Sequence, residues 1–63
     1  MESKIYNIDG LFILEVYDGN VYEYYFKISG YPFQFSFGVE KKFSKRKLIN
    51  LVRNGYFHFC WEE

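Results

Sequence analysis

The chain predicts an α+β domain, an antiparallel sheet of four or five strands with one helix packed on one face, in the order β-β-β-β-α-β. Three observations carry this expectation. Residues 43–55, FSKRKLINLVRNG, are the one stretch with helical spacing and with signals for both a start and a stop. Residues 33–39 alternate between apolar and small or polar side chains, the period of a strand with one buried face. The dipeptides Asp9-Gly10 and Asp18-Gly19 divide the N-terminal part into strand-length pieces.

The first strand is expected over Lys4 to Ile8. Asp9-Gly10 then favours the hairpin turn that needs positive φ, and Leu11 to Tyr17 forms the second strand. Asp18-Gly19-Asn20 serves as a three-residue loop into a third strand, Val21 to Ile28, whose Tyr22, Tyr24 and Phe26 favour extended backbone. Ser29 to Pro32 is a turn, since proline suits no strand centre. In the fourth strand, Phe33, Phe35, Phe37 and Val39 share one face. Gly38 is a place for a bulge or a close backbone approach.

In the helical stretch, Ser44 caps the first turn, with Phe43 and Leu48 at the spacing of a hydrophobic staple. Leu48, Leu51 and Val52 form the buried stripe, Ile49 lies at its edge, and Asn54-Gly55 ends the helix. Tyr56 to Trp61 has strand character with apolar residues on both faces. That makes it a poor free edge.

Strand faces are matched by their apolar rows. Phe12, Leu14 and Val16, then Tyr22, Tyr24, Phe26 and Ile28, then the row that starts at Phe33, are expected to form the inner face under the helix. The reverse face then carries Leu11, Ile13, Glu15 and Tyr17 beside Val21, Glu23, Tyr25 and Lys27.

Sixty-three residues make one domain, 1–63, with little room for a large core. Aromatic residues are 25% of the chain, more ring surface than one helix and one sheet face readily hide. Self-association follows as an expectation, a homodimer formed through Leu11, Ile13, Tyr17, Val21 and Tyr25, or through Phe57, Phe59 and Trp61 of the last strand.

Formal net charge is zero, which argues against an acidic nucleic-acid mimic and a strongly basic coat protein. Yet six of the eight cations lie between 41 and 53: Lys41, Lys42, Lys45, Arg46, Lys47 and Arg53. Three occupy the first helical turn, where the helix dipole favours anions, and Lys47 stands where a capping box would have Glu or Gln. Local rules broken without evident gain mark candidate binding residues. They are expected to meet a protein partner with an acidic surface. The alternative is a nucleic-acid backbone. A stacking platform of Tyr17, Tyr25 and Tyr31 is expected on the opposite side of the sheet from these cations, with Glu15 and Glu23 among its rings.

No catalytic set is expected, and the chain is not read as an enzyme. His58 and Cys60 are the sole residues of their types, so neither a disulfide nor a His/Cys metal site can be composed from them. In a strand they sit about 7 Å apart, too far for a nucleophile pair. Glu15 and Glu23 are the one carboxylate pair that could face each other across a hairpin. No cofactor is expected. A single cysteine fits a reducing compartment, and no run of apolar residues is long enough for a membrane span, so a cytoplasmic location is expected. The functional expectation is a non-enzymatic binding module, a small inhibitor or regulator of a larger complex, of a size common in phages and mobile elements.

Overall fold

The computed structural model describes residues 1–57. Four strands, β1 (Glu2–Ile8), β2 (Leu11–Tyr17), β3 (Tyr22–Ile28) and β4 (Gln34–Val39), precede one helix, α1 (Lys45–Arg53). The strands form one antiparallel sheet in chain order, β1-β2-β3-β4. This is the α+β arrangement expected, β-β-β-β-α over the described residues. Of the last strand expected over Tyr56 to Trp61, Tyr56 and Phe57 are in a turn, because the chain folds back after Gly55, and residues 58–61 lie outside the described residues.

Turn chemistry sets the sheet. Asp9 and Gly10 both adopt positive φ, 53° and 87°, as the two-residue hairpin turn demands. Ile8 therefore pairs with Leu11 and Tyr6 with Ile13. The β2–β3 loop has four residues, not three. Asp18 Oδ1 accepts from the backbone N–H groups of Asn20 (2.8 Å) and Val21 (3.0 Å), which holds Val21 in the loop. Strand pairing then begins at Tyr17–Tyr22 and runs through Glu15–Tyr24, Ile13–Phe26 and Leu11–Ile28.

That extra loop residue reverses the expected face of β2, because strand side chains alternate with period two. Leu11, Ile13 and Glu15 share the helix side with Tyr24 and Phe26, and all five are buried. Leu14 pairs with Tyr25 on the outer side, and Phe12 and Val16 flank it there.

A second irregularity lies in β4. Tyr24 pairs with Phe37, but Tyr25 pairs with Phe35, so Ser36 is an extra residue and the strand is bulged. Phe37 and Val39 pack against the core, whereas Phe35 joins Tyr25 outside and is 55% exposed. The uniform row Phe33-Phe35-Phe37-Val39 is thus broken. The bulge is not at Gly38, where an added Cβ would meet only ordinary contacts at 3.7 and 4.0 Å.

The helix start and stop are as the sequence predicts. Ser44 Oγ accepts from the Lys47 N–H at 3.1 Å. At the other end the Gly55 N–H donates to Val52 O (3.0 Å) and the Tyr56 N–H to Leu51 O (2.9 Å), with Gly55 at φ 77°. These two bonds satisfy carbonyls that the helix end would otherwise leave open. Leu48 is fully buried over the sheet, and Phe43, Ile49, Leu51 and Val52 pack around it. Phe57 folds back into the same core, its ring 5.1 Å from that of Phe26.

Candidate functional site

The segment entering α1 is fixed to the sheet by a buried polar chain. Tyr24 donates its hydroxyl hydrogen to Glu15 Oε2 at 2.6 Å, and the Tyr24 hydroxyl oxygen accepts from the Phe43 N–H at 2.9 Å. Lys42 Nζ stands 3.9 Å from Glu15 Oε1. A carboxylate 6% exposed is costly without such partners. Among the described residues no buried side-chain nitrogen or oxygen lacks a hydrogen bond. Burial, and then donation to Glu15, pushes the Tyr24 phenol well above its ordinary value. The Tyr24 ring also packs against Phe37 and Phe43, with centroids at 5.3 and 5.4 Å.

This anchor determines where the cations project. Of the six cations expected to bind a partner, three are engaged within the molecule. Lys42 faces Glu15. Arg53 Nε donates to Asp9 Oδ2 at 3.1 Å, which ties the helix end to the first hairpin turn. Lys47 lies over the Phe43 ring, 5.6 Å from its centroid. Lys41, Lys45 and Arg46 are exposed and have no ion pair among the described residues.

Lys4 is a cation that sequence spacing did not join to this group. β1 carries it to the same side, where it lines a cleft of about 450 Å³ with Lys42, Ser44, Lys45 and the rings of Tyr6 and Phe43. Its ammonium is 5.1 Å from the Tyr6 ring centre. Only the sheet register could have revealed it, since 37 or more residues separate Lys4 from the basic segment. Along β4 a second, apolar groove of about 240 Å³ is lined by Phe37, Val39, Phe43, Leu51 and Tyr56, with Lys47 at its margin.

The residues expected to drive self-association are not brought together. Leu11 and Ile13 lie in the core because the four-residue loop turns them toward the helix, and Phe57 lies there because the chain folds back after Gly55. Tyr17 is on the helix side as well, stacked on Tyr22 at 4.3 Å. Val21 belongs to the loop, and Tyr25 alone of the group is in the outer row of the sheet. Phe59 and Trp61 lie outside the described residues. The same reversal of β2 separates Tyr17 from Tyr25 in the expected platform.

Glu15 and Glu23 do not form a carboxylate pair either. Glu15 pairs with Tyr24 and points inward, whereas Glu23 pairs with Val16 and accepts from the Tyr25 hydroxyl at 2.9 Å on the outer side. His58 and Cys60 lie outside the described residues. Among the described residues no group of three His, Cys, Asp or Glu could hold a metal ion. No helix among them is long and apolar enough to cross a membrane.

No family model, curated protein or solved structure matches this chain.

Proposed function

We propose that the protein is a non-enzymatic binding module, a small regulator that docks an acidic protein segment against the start of α1. The observation that carries this reading is the cleft in which Lys4 of β1 stands beside Lys42 and Lys45. Lys41 and Arg46, without ion pairs among the described residues, extend the positive field around it. Cations from two separate elements hold their spacing through the sheet and the Glu15–Tyr24–Phe43 chain, so little ordering is left for binding to accomplish. The apolar groove beside Lys47 gives such a segment a place for an aliphatic or aromatic side chain.

A nucleic-acid backbone would meet the same cations. Of the rings expected to stack on bases, Tyr25 does not stand on their side, because it belongs to the outer face.

The test uses fluorescence anisotropy with three labelled probes: a Glu-rich peptide containing Leu and Phe, a DNA duplex and a single-stranded RNA. Each is titrated at roughly 50 and 200 mM salt, where phosphate binding falls steeply. The peptide is expected to bind, and Lys4→Ala with Lys45→Ala and Arg46→Ala to weaken it roughly tenfold. Tighter, salt-sensitive binding of either nucleic acid, lost in the same variant, would replace this reading with the alternative.

A further inference from the structure

The outer face of the sheet carries an apolar row that crosses all four strands. The register places Ile5 beside Leu14, Leu14 beside Tyr25 and Tyr25 beside Phe35. Ile5 and Phe35, at the two ends, are 58% and 55% exposed. Phe12 and Val16 lie on either side of Leu14, both half-buried. One charge stands on each side of the row. Glu23 and Lys27 are two residues before and after Tyr25 on β3, on the same face as its ring.

We propose that this face is the contact between two copies of the chain, related by a two-fold axis lying along the row Ile5–Leu14–Tyr25–Phe35. A half-turn about that line returns each residue of the row to its own counterpart and exchanges the two sides. Glu23 of each copy then meets Lys27 of the other, giving two symmetric ion pairs around an apolar centre. An axis along the strands would instead set Lys27 against Phe12 and Glu23 against Val16, leaving both charges on apolar surface. The charge pattern is therefore self-complementary for one axis and not for the other.

The side chains are held for this encounter. Lys27 Nζ lies over the rings of Phe12 and Phe33, at 5.7 and 5.2 Å from their centres, and the Tyr25 hydroxyl orients Glu23. Sheets packed in this way cross at about 30° and lie about 10 Å apart, a gap that Lys and Glu side chains from both sheets can span.

The area is small. Four strands about 4.8 Å apart, each rising about 3.3 Å per residue, give a face of roughly 19 by 23 Å. Two such faces cover on the order of 900 Å², the low end for a specific interface, so the dimer is weak, with Kd on the order of 10–100 μM.

Sedimentation velocity between about 5 and 300 μM, a range that brackets this Kd, tests the proposal on the wild type, Lys27→Glu, Glu23→Lys and the double exchange. Circular dichroism confirms that each variant is folded. The wild type is expected to shift from 7.7 kDa toward twice that mass as concentration rises. Each single reversal puts like charges opposite each other twice and is expected to weaken association at least about tenfold. The double exchange restores the pairing and is expected to recover affinity to within about threefold. A wild type that stays monomeric throughout leaves the face to some other partner and overturns the proposal. Single reversals without effect, or a double exchange that fails to recover, overturn the axis.

Discussion

On the helix side of the sheet, Ile13, Tyr24 and Phe26 are wholly removed from solvent; on the other side, Ile5 and Phe35 keep more than half of their surface exposed. The residue types do not account for the contrast. A glutamate is inside and a phenylalanine outside. Glu15 is on the closed face because Tyr17 pairs with Tyr22, and Phe35 is on the open face because β4 is bulged at Ser36. Burial here follows register. Hydrophobicity decides that a face must be covered, but loop length and bulges decide which residues belong to it. The polar groups carried inside are then bonded rather than expelled.

Truncation is expected to cost most on the closed face. Phe26→Ala removes a fully buried ring that packs on Phe57, and is expected to cost about 3–5 kcal/mol. A chain of this length has roughly 3–9 kcal/mol of stability in total, so the variant is expected to be largely unfolded or close to it in urea titration.

Tyr24→Phe should have a smaller effect with a distinct signature. The ring remains, but Glu15 loses its donor and the Phe43 N–H its acceptor, a loss of about 1–3 kcal/mol. Because the folded-state phenol lies above its ordinary value, its contribution is fully present below about pH 10 and is lost as pH rises toward the folded value. Urea titrations at several alkaline pH values should show wild-type stability falling, with a shallower fall in Tyr24→Phe. Part of the slope should remain, because donation to Glu23 raises the Tyr25 phenol as well. An unchanged slope in the variant would exclude Tyr24 as its source.

Much of the fold was legible because local chemistry and global structure agree along most of the chain. Asp9-Gly10, Ser44 and Asn54-Gly55 each admit few backbone conformations, and each adopts the one expected. The faces of β2 were not legible, because Asp18-Gly19-Asn20 suits a three-residue loop as well as the four-residue one that forms. Hydrophobicity reinforced the error: Phe12, Leu14 and Val16 make a better apolar row than Leu11, Ile13 and Glu15. What favours the second row is the bonding of Glu15 to Tyr24, a contact visible only once the register is known. The basic segment at 41–53 was legible in composition. Its division was not, because Asp9, Glu15 and the Phe43 ring each engage one cation and Lys4 arrives from the first strand.

Phenylalanine occurs on both faces of the sheet, buried at Phe26 and exposed at Phe35. Phe35→Ala makes the same truncation as Phe26→Ala, but on the open side. There the ring is more than half wet and its described partner is Tyr25, edge-on with centroids 5.4 Å apart. The transfer contribution is correspondingly small, no enclosed cavity is left, and one exposed aromatic pair is lost. The expected cost is about 0.5–1 kcal/mol at low protein concentration, several-fold below that at Phe26. Urea titrations of both variants at a few micromolar, below the range in which copies of so small a face would associate, give the ratio directly. A Phe35→Ala cost approaching that of Phe26→Ala would mean that the outer row is closed within the single chain, and that register does not divide the sheet as described.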